Sequence, residues 1–431
     1  MVAGINTFNF IHNISWLLLE KIVRMVTVLI TTIFLARYLG VAEFGKLSYI
    51  IAFIGIFLPF AALGMDQVIV RRLAIGDNPS KVLGSAFFLR LLVGIMLILL
   101  IPSIHGFIEK ENLGSFVTIA SYILLLYPFY LIDPYFQSIL KAKYIVIAKV
   151  SSLFLMLIIR LIAIRYDAGL DIFIKIMVLE YIVTALLFTV MYIIKNSVHK
   201  RWVASFDTSL VILKESWPII FSGVAIALYT RVDQIMLQNM VNSEAVGYYA
   251  ATIRISEAVF FIPVILVQAA LPVISKMRDK HPNLYTSKIN LLYEVINIIA
   301  ILIMVIMIIF SDQMISIIYG ESYKDSAVLL SVMIYIVPIV FFSVAKGIWT
   351  ICEGRQTYNM FYTMTGLVLN IVLNYLLIPI YGGMGAVIAT IISQISINML
   401  FPMLSVVDRI TVIAFLESFL FKEVRKYVAK S

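Results

Sequence analysis

The sequence predicts an all-α polytopic membrane protein, with twelve transmembrane helices in two six-helix lobes related by a pseudo-two-fold axis along the membrane normal. Three observations predict this: composition, a series of apolar stretches of about 20 residues, and a charge alternation between them. Of 431 residues, 62% are hydrophobic and 13% charged, and mean hydropathy is +1.03. Soluble domains carry about 25% charged residues. A soluble chain could not keep this much apolar surface from water, so lipid must solvate most side chains.

The expected spans cover 14–36, 46–65, 84–104, 116–137, 150–165, 172–194, 216–238, 248–274, 289–310, 327–349, 358–380 and 384–407. The fifth is the shortest and carries Arg160. Of 33 Lys and Arg, twenty fall in the even-numbered connections and the C-terminal tail, and six in the odd-numbered connections. The positive-inside rule then places both termini in the cytoplasm. It also accounts for the net charge of +9 as topology signal, with no nucleic acid partner implied. The N-terminus lacks a basic n-region and a small-residue cleavage site, so no removable signal peptide is expected.

GVAEFGKL (Gly40–Leu47) comes within one residue of a phosphate-binding loop, but Leu47 stands where the motif needs Ser or Thr. The stretch is an outward connection with no strand before it. A shift of 202 residues lays Phe44-Gly45 on Val246-Gly247, where Lys46 becomes Tyr248. A phosphate cradle would not survive that change, so these glycines are expected to serve a helix–turn–helix, and ATP is not a partner. A weaker echo lays Lys141-Ala142-Lys143 on Glu353-Gly354-Arg355. The organisation is therefore an N-terminal lobe (1–200), a cytoplasmic linker (201–214), a C-terminal lobe (215–407) and a tail (408–431). As a parallel repeat it should enclose a central cavity between the lobes. In the tail, Ile413, Leu416, Leu420, Val424 and Tyr427 follow a helical period beside Lys422, Arg425 and Lys426. That pattern fits an amphipathic helix on the anionic leaflet, in contact with membrane lipids.

Seven cations fall inside spans: Lys21, Arg24, Arg90, Arg160, Arg231, Arg254 and Lys346. Each costs about 2.5–3.5 kcal/mol at a helix centre. They are expected to face a wet cavity as a cationic substrate-binding surface, or to pair with acids. Glu20 with Arg24, and Arg254 with Glu257, share helix faces. Arg231 and Asp233 do not. Glu180 and Glu294 lack a partner nearby in sequence, as do Lys21, Arg90, Arg160 and Lys346. Arg24, Arg90 and Arg160 lie deep, which favours function over snorkelling. For Arg254 and Lys346, near span ends, a structural ion pair is an equal alternative. Glu20, Glu180, Asp233 and Glu257 are candidates for carrying a coupling proton or sodium ion. Tyr229, Tyr335 and Tyr375 are candidates for stacking on sugars. Pro59, Pro128, Pro134, Pro218, Pro263, Pro338 and Pro379 fall within spans or at their ends, and some of them should bend helices. Cys352 is alone, and His12, His105, His199 and His281 show no metal-ligand spacing and read as solvated, so no metal or other cofactor is expected.

Leu35-Ala36-Arg37-Tyr38-Leu39-Gly40…Glu43-Phe44-Gly45, Arg231-Val232-Asp233-Gln234-Ile235-Met236-Leu237 and Ile378-Pro379-Ile380-Tyr381-Gly382-Gly383-Met384-Gly385-Ala386 carry a resemblance. They are similar to hinges and span signatures of the polysaccharide (O-antigen and capsule) flippases, within the multidrug/oligosaccharidyl-lipid/polysaccharide exporter superfamily. The resemblance implies a V-shaped bundle in the bacterial inner membrane. It implies flipping of an undecaprenyl-diphosphate-linked oligosaccharide to the outer leaflet by ion-coupled alternating access, with polysaccharide polymerase machinery as a partner. The protein is then not an enzyme. The alternatives are a multidrug or organic cation antiporter of the same fold, and a membrane glycan polymerase or glycosyltransferase. The outward connections, each of about 17 residues or fewer, hold no paired carboxylates for the latter.

Overall fold

The computed structural model describes residues 7–108, 111–195, 201–280, 282–421, 423 and 425. His199, His281, Lys422, Val424, Lys426 and Tyr427 lie outside the described residues. Among the described residues the chain is helical, with no strand. It divides into two compact units, Met1–Arg231 and Val232–Ser431.

The first unit holds α1 (Thr7–Ala62), α2 (Asp66–Ala74), α3 (Pro79–Ile108), α4 (Gly114–Ser121) and α5 (Ile123–Leu126). A 3-10 turn (Tyr127–Leu131), α6 (Ile132–Ser138), α7 (Ala142–Arg165) and α8 (Leu170–Lys195) follow. α9 (Phe206–Met240) runs through the boundary. The second unit continues with α10 (Ser243–Glu257), α11 (Phe261–Lys280), α12 (Pro282–Ile309), α13 (Ser311–Ile318), α14 (Lys324–Met333) and α15 (Ile336–Cys352). It ends with α16 (Gln356–Tyr381), α17 (Gly383–Ile395), a π turn (Ser396–Leu400), α18 (Phe401–Leu404) and α19 (Arg409–Ser418).

Gly40 interrupts α1 with φ 72 and ψ 176, a conformation open to glycine and nearly closed to residues with a Cβ. The first glycine of GVAEFGKL is thus a turn residue, while Gly45 continues the next helical stretch. In the second unit the corresponding break falls at Asn242, whose side chain caps α10 by accepting from the Ala245 N–H at 2.9 Å. Gly40 and Asn242 are related by the same 202-residue shift seen in the sequence. The expected hinge glycine Gly247 is instead buried inside α10, because an asparagine cap makes the turn.

Ten described helices are long and apolar enough to cross a membrane, or eleven if α14 and α15, bent by 53°, form one span. That count takes Ser15–Ala74 as one 60-residue stretch. The fifth expected span is a full helix of 24 residues. The fourth is broken where Pro128 enters the 3-10 turn, since proline offers no N–H to the helical ladder. At the junction of α16 and α17, Gly382 takes φ 56 and ψ −131, and a Cβ on Gly385 would lie 2.4 Å from the Leu377 carbonyl oxygen. Backbone geometry therefore demands two glycines of the Gly382-Gly383-Met384-Gly385 stretch. α19 buries Thr411, Val412, Phe415 and Ser418, with Phe415 stacked on Phe342 at 4.2 Å, and leaves Ile413 and Leu416 exposed. His105, expected to be solvated, is buried against Phe53 and Tyr49 in α1.

Candidate functional site

The first unit contains a polar cavity of about 330 Å³, lined in part by Glu20, Arg24, Asp66, Asp133, Lys149 and Glu180. Tyr127, Tyr130, Tyr181 and Thr184 complete its polar wall. A second cavity of about 370 Å³ shares Asp66, Tyr127, Tyr130 and Asp133 with it. Four elements supply the acids, and each acid has a cation beside it. Glu20 lies 3.6 Å from Arg24, one turn on along α1. Arg90 of α3 donates to Asp66 at 2.7 Å and to the Tyr127 carbonyl at 3.5 Å. Lys149 of α7 donates to Asp133 at 2.6 Å, and Gln137 donates to its other oxygen at 2.9 Å. Arg160 of α7 donates to Glu180 of α8 at 2.5 Å. An ion at membrane depth is costly alone, and these pairings meet much of that cost.

Sequence spacing missed three of these pairs because their partners lie on different helices. Arg160 and Glu180, expected to lack local partners, find each other across the α7–α8 packing. Arg90 is fully buried behind Asp66. Lys149 reads as a connection charge but forms part of the cavity wall, paired with Asp133 from within the fourth expected span. The other expected cations are placed separately. Lys21 is exposed on α1, and Arg231 is half-buried beside Gly55. Arg254 lies 3.7 Å from Glu257 on α10. Lys346 is buried and donates to Asn398 in the π turn at 3.3 Å. Glu294 is buried and accepts from the Glu423 N–H at 2.9 Å. Of the tyrosines expected to meet sugars, Tyr335 and Tyr375 are exposed away from any of these cavities.

The second unit holds a different arrangement around Asp233. Its buried carboxylate accepts from Tyr249 of α10, from Asn374 of α16 at 2.6 Å and from Thr390 of α17 at 2.7 Å. Asn374 also donates to Asn370 at 3.1 Å. Every neighbour that hydrogen-bonds the carboxylate here is neutral. Four helices thus converge on one acid, which gives it a role open to a proton or a small cation.

At the ends of α15, α16 and α19, two acids are clasped. Asp408 accepts from Arg355 at 2.9 and 2.7 Å and from Tyr362 at 2.6 Å. Glu353 accepts from Arg278 at 3.2 and 3.1 Å and from Tyr285 at 3.0 Å. Burial works against the charge of Asp408, but the bonds from Arg355, Tyr362 and Ser405 outweigh it and hold the carboxyl below its usual range. The Arg278 bond does the same for Glu353 against a smaller desolvation penalty. A carboxyl held low contributes stability that is full above its unfolded value and is lost as pH falls through the lowered one. Detergent-solubilised protein should therefore melt at lower temperature as pH drops below about 4. Asp408→Asn should flatten that fall in a thermal-melt series, and superimposable profiles for the two proteins would refute the clasp.

A family model described as "Polysaccharide biosynthesis protein" matches residues 10–278. The chain belongs to that family. The MatE model also matches residues 218–376 of this polysaccharide biosynthesis family member. Two curated relatives are "Uncharacterized membrane protein MJ1375" of Methanocaldococcus jannaschii and "Capsular polysaccharide biosynthesis protein CapF" of Staphylococcus aureus. The first is 28% identical over 44% of this chain and 44% of its own length. CapF is 21% identical over 41% of this chain and 45% of its own length. The chain thus spans less than half the length of the curated relatives it matches. Among solved structures, Lipid II flippase MurJ in an inward closed conformation aligns over 96% of this chain and 93% of its own, at TM-score 0.70 and 16% identity. An inward-facing multidrug resistance MATE family transporter of the MOP superfamily aligns over 93% and 95%, at TM-score 0.71 and 16% identity. These likenesses show that the chain shares the all-helical fold of both solved structures.

Proposed function

We propose that this protein flips a polyprenyl-diphosphate-linked oligosaccharide, an O-antigen or capsular repeat unit, from the cytoplasmic to the outer leaflet by ion-coupled alternating access. The observation that carries the proposal is the charged, ion-paired cavity inside a bundle whose exterior is apolar. Such a cavity holds the polar part of a cargo whose tail stays in lipid. Membership of the polysaccharide biosynthesis family and the similarity to CapF and MurJ support a lipid-linked glycan as that cargo.

In this reading the chain crosses the membrane twelve times. A 60-residue apolar stretch is three times what a bilayer core of about 30 Å takes. Gly40 therefore divides it into two spans, and α14 with α15 counts as one. Both termini are cytoplasmic, and the membrane is the bacterial inner membrane. Arg24, exposed at the first unit's cavity, is the cation open to meet the diphosphate. Arg90 and Arg160 hold the wall, and Asp233 carries the coupling proton or sodium ion. The protein acts as a carrier and not as an enzyme, and it hands its product to polymerase machinery outside.

The test is reconstitution in proteoliposomes with a fluorescent polyprenyl-diphosphate oligosaccharide in the inner leaflet. Dye should become accessible to a membrane-impermeant quencher faster than in empty liposomes; equal rates would sink the proposal. A second reading, an organic cation antiporter, is favoured by the MatE match and by the four carboxylates facing the first unit's cavity. Protection of cells from cationic dyes on overexpression, without glycan flipping, would select it.

A further inference from the structure

The cavity of the first unit has a polarity that a diphosphate site does not require. Its surface carries four carboxylates, from Glu20, Asp66, Asp133 and Glu180, against the cations Arg24 and Lys149. The other two cations are set behind their acids: the Arg90 side chain is fully buried, and Arg160 is 14% exposed. A group entering the cavity therefore meets four carboxylates and two cations, Arg24 and Lys149. Ionised carboxylates accept hydrogen bonds and donate none.

Two further features point to a bound ligand. Glu20 is buried to 5% exposure and lines the cavity, yet its Oε1 has no hydrogen-bond donor, with Arg24 at 3.6 Å as its nearest cation. A buried acceptor left unfilled costs about 1–3 kcal/mol, so a donor from the cavity side would be favourable. Next to it, Tyr127 and Tyr130 stack with ring centroids 5.4 Å apart and planes inclined by 15°, and both rings border the cavity. This gives an aromatic platform beside a row of acceptors. A pyranose presents the complement: an apolar C–H face for the rings and hydroxyl donors around its rim. The volume of about 330 Å³ falls within the range of about 300–1,000 Å³ for small-molecule sites.

We propose that this cavity is the glycan subsite of the flippase, and that its acidic lining selects repeat units whose first sugars are neutral or amino-bearing and turns away uronic acids. The proposal rests on the flippase reading and adds to it a substrate class and the residues that set it. Hydroxyl or ammonium groups donate to Glu20, Asp66 and Asp133, and a ring face lies on Tyr130. A sugar carboxylate would sit against like charge with few donors to accept from, and like-charge juxtaposition is strongly unfavourable. The subsite is bordered by Glu20, by Asp66 at the start of α2 and by Lys149 near the start of α7. In the orientation proposed above, all three stand near the cytoplasmic ends of their helices, where a cargo assembled in the cytoplasm would load.

The experiment compares two fluorescent polyprenyl-diphosphate disaccharides in the same proteoliposomes, identical except that one carries a hexose and the other the matching hexuronic acid. Wild-type protein should flip the hexose carrier about tenfold faster or more. Equal rates, or a preference for the uronate, would overturn the proposal while leaving the flippase reading standing. Flipping of neither carrier would remove that reading and the subsite with it. Glu20→Gln with Asp133→Asn should narrow the preference to about threefold, because two of the four carboxylates are neutralised while acceptor oxygens remain. Tyr130→Ala leaves the charges untouched, and should slow the hexose carrier while retaining discrimination against the uronate. A preference unchanged by Glu20→Gln with Asp133→Asn, or a hexose rate unchanged by Tyr130→Ala, would also overturn the assignment.

Discussion

Replacing Asp233 by asparagine should leave the protein folded and cut gradient-driven flipping by roughly 5–150-fold, the span of a coupling free energy of about 1–3 kcal/mol. With its carbonyl at the Oδ2 position the asparagine still accepts from Tyr249 and Thr390, and its amide faces Asn374, whose own carbonyl oxygen lacks a partner and can turn to accept from it, so the junction of α9, α10, α16 and α17 stays hydrogen-bonded. What it loses is the ability to hold a proton or a cation. Alanine is the contrast. It strands three donors around a buried position, and each orphaned polar group costs about 1–3 kcal/mol. Asp233→Ala should therefore fail in thermal melts as well as in transport. The measurement is flipping with and without an imposed proton or sodium gradient. A gradient-stimulated rate in Asp233→Asn equal to wild type would remove Asp233 from the coupling role.

Arg160→Ala is expected to be the most destabilising single change in the first unit's cavity wall. It leaves Glu180, which is 23% exposed, without its 2.5 Å partner. Breaking a fully buried pair from one side costs about 3–5 kcal/mol, and the exposure of Glu180 to the cavity brings the expected loss below that range. Removing both charges in Arg160→Met with Glu180→Met should recover most of that loss, since the desolvation cost goes with them. A double-mutant cycle read from denaturant or thermal unfolding in detergent would show a coupling of roughly 0.5–3 kcal/mol. Additive single losses, with no recovery in the double variant, would mean that the two residues do not act as a pair.

The fold was legible where a local rule governs it. Gly40 could be read as a break because the outward connection is short and a glycine stands in it. The repeat could be read because the same hinge returns 202 residues later, even though an asparagine cap replaces the glycine there. The apolar helices could be read because apolar length responds to lipid and not to the partner helix. The site was legible in part. Arg24, Arg160, Glu20, Glu180 and Asp233 stand out because a charge within an apolar run is conspicuous.

Their partners do not stand out. Asp66 and Asp133 sit at helix starts, Lys149 is one of the cations that read as topology signal, and pairing across helices follows packing, which leaves no period in the sequence. Tyr127 and Tyr130 are two of 23 tyrosines, and only the 3-10 turn that aligns their rings distinguishes them. The sign of the cavity surface was hidden for the same reason. Counting intramembrane cations cannot tell which of them lie behind an acid.

The π turn at Ser396–Leu400 has a bearing on how this region is compared with other chains. A π turn accommodates one extra residue in the ladder, and one residue of an α-helix corresponds to about 100° of rotation. Everything from Phe401 onward is thus turned by that angle relative to a continuous α-helix from Gly383. An ungapped comparison with a relative lacking the bulge would assign Pro402 and Leu404 to the wrong faces. A one-residue gap inside 396–400 is where the facing would come back into step.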